Sequence, residues 1–291
     1  MKTGYVVNPV AGKRKSVELI PRIKEAAQKR GQEACLYITE GPGDAEKKAV
    51  AALSDGCRVV VAVGGDGTVN EVVNGIAESG AVMGVIPAGS GNDFARTLGI
   101  PLDFEEALEC VLQGGTRSVD VGHINGRRFV NVASVGFDAQ VVLETYKIKK
   151  RIRGPLAYPL GVLKTLAGYR PFAMEIETDE RTIRKQVLLA AVANGVYYGG
   201  GMKIAPEAVA DDGLFDVLVV EDMPRLKILR LFPMIYSGRH LSRSEVEYFR
   251  TGKIKISCEE GHINSDGEII GSCPVEMVMH AGGITVIVPR E

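Results

Sequence analysis

The chain has 291 residues, enough for one large domain or two ordinary ones, and 45% apolar and 24% charged residues are typical of a globular protein. A net charge of -1 at pH 7 excludes a global attraction to nucleic acid, so we expect no nucleic-acid partner. The apolar runs are too short to cross a bilayer, and five dispersed cysteines without a CxxC pair predict reduced thiols in a cytoplasmic protein.

Strand and helix patterns alternate in the first part of the chain. Apolar runs predict strands at residues 4–8, 34–39, 59–63 and 82–86. Amphipathic spacing predicts helices at residues 17–30, 44–53 and 104–112, with Asp44 as the N-cap of the second, and a further helix after residue 68. This alternation predicts an α/β domain over residues 1–118, with a mainly parallel sheet covered on both faces.

The second part of the chain is dominated by strand patterns. Two-strand patterns flank Asn125-Gly126, at residues 119–124 and 128–133, and Asp179-Glu180, at residues 173–178 and 182–193. Further strands are predicted at residues 214–220, 246–259 and 284–288, and helices near 156–166 and 225–236. Residues 119–283 are therefore predicted to form a second domain, an antiparallel β-sandwich.

A glycine-rich turn follows the third predicted strand. It reads Gly64-Gly65-Asp66-Gly67-Thr68 and leads into a helical pattern. Backbone amides at such a junction point one way, and glycine permits close approach of an anion, so the turn suits a phosphate. The central Asp66 is compatible with a metal ion beside that phosphate.

A second turn of the same kind, residues 87–96, follows the next predicted strand and contains Ser90 and Asp93. Consecutive junctions of a parallel sheet lie on one edge, so Asp66 and Asp93 are expected to face one cleft. A single aspartate here would more simply cap a helix. Two of them beside glycines at adjacent strand ends favour a site that holds magnesium and its waters.

Together, GGDGTVNEVVNG and PAGSGNDFARTLGIP resemble the diacylglycerol kinase catalytic family, which includes bacterial diacylglycerol kinases and sphingosine kinases. The resemblance implies an N-terminal domain like that of NAD kinases and diacylglycerol kinases, a β-rich lipid-substrate domain, and a last strand, about residues 284–291, that returns to the first domain. It also implies ATP and Mg²⁺ as cofactors. The residues that it assigns to nucleotide binding are Asn8, Pro9, Ala11, Gly12, Thr39, Gly64, Gly65, Asp66, Gly67, Thr68, Val69, Asn70 and Ser90.

The segment Asp266-Gly267-Glu268 matches a D-G-E motif of the same family. By resemblance, Asp266 is the general base that takes the proton of a lipid hydroxyl, and Glu268 joins Asp66 and Asp93 in the catalytic metal network. A hairpin turn is the plain alternative, because Asp-Gly is a common hairpin dipeptide.

Residues 207–216 resemble a segment that holds a structural magnesium in bacterial members of the family. The ligands implied are the Asp212 carboxylate and the carbonyls of Val209 and Leu214. A turn leading into the strand at 214–220 accounts for the same residues equally well.

A basic segment, residues 147–153, precedes apolar and aromatic residues. Docking on the inner face of an anionic membrane and a solvated loop both fit this pattern. Edge strands of the sandwich leave a homodimer open as well.

The combined motifs predict an ATP-dependent lipid kinase that phosphorylates a lipid hydroxyl, with diacylglycerol as the preferred acceptor. NAD kinase is the alternative within the same chemistry, because it shares GGDGT. A non-catalytic regulator that binds nucleotide or lipid is the alternative in another class, and the presence of Asp66, Asp93, Asp266 and Glu268 together argues against it. The sequence does not identify the lipid.

Overall fold

The computed structural model describes residues 2–149 and 157–290. The N-terminal part contains four strands and six helices. The strands are β1 Lys2–Val7, β2 Glu33–Ile38, β3 Val59–Gly64 and β4 Val82–Pro87. The helices are α1 Lys15–Glu18, α2 Ile20–Lys29, α3 Asp44–Ser54, α4 Asp66–Ile76, α5 Asp93–Thr97 and α6 Phe104–Gln113.

The C-terminal part is mostly strands. Its helices are α7 Phe137–Lys149, α8 Ala157–Gly168 and α9 Arg225–Ser237. The strands are β5 Gly115–Ile124, β6 Arg127–Phe129, β7 Val132–Gly136, β8 Phe172–Thr178, β9 Thr182–Ala193, β10 Tyr197–Tyr198, β11 Met202–Lys203, β12 Phe215–Glu221, β13 Val246–Thr251, β14 Lys253–Ser257, β15 His262–Ser265, β16 Glu268–Ser272 and β17 Val275–Val288.

The first four strands lie parallel in the order β4-β3-β1-β2. Successive residues of β3 face opposite sides of this sheet, so Val60 and Ala62 pack in the core under α3 and α4. Val61 and Val63 pack on the other face, in the core that holds Ile23 of α2. The predicted parallel sheet with helices on both faces is confirmed.

The long strand β17 joins the two parts of the chain. Its Thr285 and Val286 pair in parallel with Val82 and Met83 of β4. It also pairs antiparallel with β5 and with β14. The last strand therefore returns to the N-terminal sheet, and the antiparallel strands continue the same sheet as far as β16. The division near residue 118 and a homodimer through an edge strand stay predictions.

Several local predictions were wrong in their boundaries. The helix predicted at 17–30 is divided: α1 ends at Glu18, and α2 begins at Ile20 with Pro21 in its first turn. Asp44 is not the N-cap of α3, because Gly43 holds that position with φ of 77°. The carboxylate of Glu71 on α4 instead accepts hydrogen bonds from the amides of Gly43 and Ala45, both at 2.8 Å.

Two predicted strands are each divided. The segment 246–259 contains β13 and β14. The strand predicted at 128–133 is interrupted between β6 and β7, because the amides of Val130 and Asn131 donate to the carboxylate of Asp266 rather than to a strand. The turn at Asn125-Gly126 is confirmed, with φ of 49° and 74° at its two residues.

The basic segment at 147–153 falls largely outside the described residues, which omit Lys150, Arg151 and Arg153. Lys147 is described, and its ammonium group pairs with Glu144 at 2.7 Å. None of the helices in the described part of the chain is long and apolar enough to cross a membrane.

Candidate active site

The two glycine-rich turns lie side by side at the carboxyl ends of β3 and β4. The amide of Ala88 donates to the carbonyl of Gly64 at 2.8 Å. A Cβ atom added to Gly89 would lie 2.5 Å from the Cα atom of Gly65. The turns approach this closely because both positions lack a side chain.

This contact gives a testable prediction about stability. We expect Gly89→Ala to lower the free energy of unfolding by about 1–3 kcal/mol, because the added methyl group meets backbone that cannot move aside. Gly67→Ala is the matched control, since a Cβ there meets nothing within 4 Å. Urea-induced unfolding of both variants measures the difference, and equal stability of the two would contradict the prediction.

A cleft of about 820 Å³ opens along these turns. The predicted nucleotide-binding residues that line it are Asn8, Ala11, Gly12, Gly65, Gly67, Thr68 and Ser90. It also contains residues that the sequence did not single out, including Leu102, Asp103 and Phe104. Helix α4 begins at this cleft, so its unpaired amides and its dipole favour an anion there.

The remaining predicted nucleotide-binding residues do not line this cleft. Thr39 is buried, and its amide donates to the carbonyl of Val7. Asn70 donates to the carboxylate of Asp266 at 2.8 Å. Pro9 and the buried Val69 also lie outside the lining, as does Gly64, where a Cβ would collide with Thr68.

A second cavity, of about 570 Å³, adjoins the first at Ser90, which lines both. Four aspartates line it: Asp66, Asp93, Asp138 and Asp266. Its remaining wall includes Val142 and Tyr146 of α7 and Tyr198 of β10. The structure thus brings the three predicted aspartates together in one cavity and adds a fourth, Asp138.

Asp66 and Asp93 are held by backbone amides. Asp66 Oδ1 accepts from the amide of Phe94 at 3.1 Å. The two oxygens of Asp93 accept from the amides of Gly200 and Gly201, at 2.8 and 2.7 Å. Burial raises the pKa of Asp93; the Gly200 hydrogen bond opposes this shift, and the nearby charge of Asp66 adds to it.

Asp266 is held by four donors. Its Oδ1 accepts from the amides of Asn131 and Val132, both at 3.0 Å, and its Oδ2 accepts from Val130 N at 2.9 Å and Asn70 Nδ2 at 2.8 Å. Burial raises its pKa to about 6, against the lowering effect of these bonds. Since a carboxylate offers about four acceptor positions, all of them are filled.

Glu268 is not part of either cavity lining in the described chain. It is exposed at the start of β16. Burial of Tyr146 raises the pKa of that tyrosine, and the negative charge of Glu268 raises it further. The charge of Glu268 therefore acts on the tyrosine at the cavity wall, and its part in a metal network stays a prediction.

The proposed structural magnesium segment is a tight loop. Asp212 Oδ1 accepts from the amide of Leu214 at 3.1 Å, and its other oxygen lies 3.2 Å from Arg250. Val209 is exposed. Among residues 2–149 and 157–290, no three His, Cys, Asp or Glu side chains form a group that could hold a metal ion. The metal role of Asp212, Val209 and Leu214 stays a prediction.

Sequence reasoning missed two features of this site. The amides of Gly200 and Gly201 were not among the predicted site residues, although they hold the carboxylate of Asp93. The second is Asp138, and the sequence signal that could identify it is a carboxylate directly after a buried strand, in Gly136-Phe137-Asp138.

Comparisons with known proteins agree with this geometry. Residues 2–124 match the family described as "Diacylglycerol kinase catalytic domain", and residues 131–288 match the "YegS C-terminal NAD kinase beta sandwich-like domain". A diacylglycerol kinase of Bacillus subtilis is 32% identical, with 100% of this chain and 98% of the relative covered. A diacylglycerol kinase of Staphylococcus epidermidis is 34% identical, with 98% and 92% covered.

A solved structure shares the fold. The crystal structure of a diacylglycerol kinase from Bacillus anthracis has a TM-score of 0.75 and 25% sequence identity, and the match covers 99% of this chain and 96% of that one. The predicted combination of an α/β domain with a β-sandwich domain is confirmed.

Proposed function

Because this chain belongs to the diacylglycerol kinase family and is a lipid kinase, we propose that it transfers the γ-phosphoryl group of ATP to the hydroxyl of diacylglycerol, giving phosphatidic acid. The observation that carries the proposal is the junction of the two cavities at Ser90, with Asp66 and Asp93 beside it. A donor in the first cavity and an acceptor in the second would meet at these carboxylates.

The first cavity suits the phosphates of ATP. Its wall contains Gly65, Gly67 and Thr68 at the start of α4, and Gly89 on the facing turn. Amides near a helix N-terminus bind phosphate oxygens, and their alignment costs little when phosphate arrives. The nucleotide base would then lie toward Leu102 and Phe104, which supply apolar surface.

Magnesium fits the junction of the two cavities, beside Asp66 and Asp93. No described residue donates to Asp66 Oδ2, and a Cβ built on Gly91 would lie 2.9 Å from that oxygen. Magnesium is usually bound through one or two carboxylates, with phosphate and water completing its shell, so Asp66 together with Asp93 would suffice. When bound, the ion would offset the negative charge of the transferring phosphoryl group.

The general base remains a proposal for Asp266. Its carboxylate lines the cavity that we assign to the acceptor, so it would lie near the lipid hydroxyl. All four acceptor positions are engaged by amide donors. Proton transfer to Asp266 would therefore require one of these donors to move away first.

The function is tested by phosphate transfer to a panel of acceptors. Radiolabelled ATP is incubated with the full chain and diacylglycerol, a sphingoid base or a polyprenol in mixed micelles, with NAD as a soluble acceptor. We expect labelled phosphatidic acid. Labelling of NAD alone would replace the proposal with NAD kinase activity, and ATP binding without transfer to any acceptor would favour a regulator.

We also propose peripheral contact with the membrane that supplies the lipid. Helix α9 exposes Leu226 and Leu229, by 72% and 45%. Helix α8 exposes Leu163, and its C-terminal end shares a surface hollow with the start of α9, where Arg170 and Arg225 also lie. Apolar side chains beside cations suit an anionic bilayer surface at the cytoplasmic side.

Loss of these apolar side chains should weaken membrane binding. We expect the double variant Leu226→Ser, Leu229→Ser to bind vesicles containing phosphatidylglycerol about tenfold or more weakly, because each leucine loses the gain from apolar burial. Val50→Ser is the matched control, since Val50 is 49% exposed on α3. Vesicle sedimentation measures binding, and equal binding by all three proteins would contradict the proposal.

A further inference from the structure

Asp138 is a buried carboxylate at the wall of the acceptor cavity. It is the second residue of α7, which follows directly on β7, and it is 6% exposed. The cavity that it lines also contains Asp66 and Asp93. It is therefore placed where an acceptor lipid would present its polar head.

The hydrogen bonds that other described residues donate to Asp138 leave one acceptor position open. Oδ2 accepts from the hydroxyl of Ser134 and from Asn264 Nδ2, the latter at 3.3 Å. Among the other described residues, Oδ1 accepts one hydrogen bond, from the amide of Ala139 at 2.7 Å, and the amide of Asp138 itself also bonds to its own carboxylate. Of about four acceptor positions on a carboxylate, other described residues use three, which leaves Oδ1 with room for a donor from a ligand. Asp266, in the same cavity, has none left.

Burial of the negative charge of Asp138 without a partner costs free energy. No ion pair to Asp138 occurs among the described residues. Burial raises its pKa, while the hydrogen bond from Ser134 opposes the shift. A buried carboxylate that borders a cavity, with no cation from the described part of the chain, is characteristic of a functional site.

We propose that Asp138 binds the hydroxyl of the acceptor lipid in the complex that forms before ATP binds, through a hydrogen bond that this hydroxyl donates to Asp138 Oδ1; the hydroxyl hydrogen would have to turn away from Asp138 before Asp266 could take it. The proposal rests on the proposed function for the identity of the acceptor. Diacylglycerol carries one free hydroxyl, and its ester groups only accept hydrogen bonds, so this hydroxyl is the one group that a carboxylate can recognise. Ser134 and Asn264 are the positioning residues that fix the orientation of the Asp138 carboxylate.

The test is a binding cycle that needs no catalysis. Isothermal titration calorimetry without nucleotide compares 1,2-dioctanoylglycerol with 1,2-dioctanoyloxypropane, which lacks only the hydroxyl, on wild type, Asp138→Asn and Asp138→Ala. We expect wild type to bind the hydroxyl lipid about 10- to 100-fold more tightly than the analogue, because a hydrogen bond to a charged group is lost with the hydroxyl. Asp138→Ala should bind the two lipids equally. Asp138→Asn should show a preference for the hydroxyl lipid that is smaller than that of wild type.

A matched variant separates binding from structural damage. Asp216→Asn removes another buried carboxylate, 1% exposed and bonded to Arg250, which does not line the cavity. It should keep the preference of wild type for the hydroxyl lipid. A preference that survives in Asp138→Ala, or the absence of any preference in wild type, would overturn the proposal.

The two proposals fail in different ways. A preference that depends on Asp138, without phosphate transfer from ATP, would leave this inference standing and remove the proposed function. If the protein transfers phosphate to diacylglycerol but its preference for the hydroxyl lipid does not depend on Asp138, the proposed function stands and this inference fails.

Discussion

Replacement of Asp66 by asparagine is expected to lower kcat for lipid phosphorylation by about 10²- to 10³-fold, the usual cost of losing one electrostatic group at a transferring charge. The amide retains the shape of the side chain and can still accept from Phe94 N through Oδ1. What it loses is the negative charge on the one Asp66 oxygen that no described residue engages. That charge is what would hold magnesium beside the phosphates.

Steady-state kinetics with varied Mg²⁺ measures the effect. Since Asp66 lines the acceptor cavity rather than the nucleotide cleft, KM for ATP should change far less than kcat. A raised Mg²⁺ concentration should recover part of the lost rate, because a weakened metal site can be refilled by mass action.

Asp103→Asn is the matched control. Asp103 lines the nucleotide cleft, and its carboxylate caps α6 by accepting from the amides of Glu105 and Glu106. Asparagine caps a helix as well as aspartate does, so this variant should retain activity. Equal losses in the two variants would mean that any acidic side chain near the cleft matters, and the metal role of Asp66 would be abandoned.

The positions of the phosphate turns could be predicted from the sequence, because their signals are local. A buried strand, a glycine-rich turn and a helical period lie within about a dozen consecutive residues at Gly64-Gly65-Asp66. The parallel order of strands then places Asp93 on the same edge. Both inferences depend on short stretches of chain and on a general rule of sheet topology.

The partners of these residues could not be predicted, because they are distant in sequence. The amides of Gly200 and Gly201 hold Asp93 from more than 100 positions away. The cap of α3 comes from Glu71 of the neighbouring helix, which no pattern around Asp44 indicates. Such contacts depend on how finished elements pack together, and a single sequence does not encode that register locally.

Asp266 illustrates a role that the motif and the structure describe differently. The motif, by resemblance, suggests a catalytic base. The structure adds that its carboxylate joins α4, through Asn70, to the segment between β6 and β7. Loss of activity in an Asp266 variant would therefore not by itself identify a base, and stability has to be measured beside it.

We expect Asp266→Asn to lower the free energy of unfolding by about 2–4 kcal/mol, because the amide group presents its own N–H donors to amides that need an acceptor. At least one of the amides of Val130, Asn131 and Val132 would lose its partner. Hydrogen exchange at these three amides should accelerate in the variant, while exchange in β3, on the far side of the sheet, stays slow.

Glu268→Gln in the same motif provides the comparison. Glu268 is exposed on β16, and a change of an exposed side chain typically alters stability by less than about 0.5 kcal/mol. If Asp266→Asn keeps the stability and the slow amide exchange of wild type but loses activity, the four hydrogen bonds are dispensable for the fold and Asp266 acts in the chemistry. If stability and exchange change as expected, the carboxylate holds the cavity wall in place, and the lost activity follows at least in part from a displaced acceptor site.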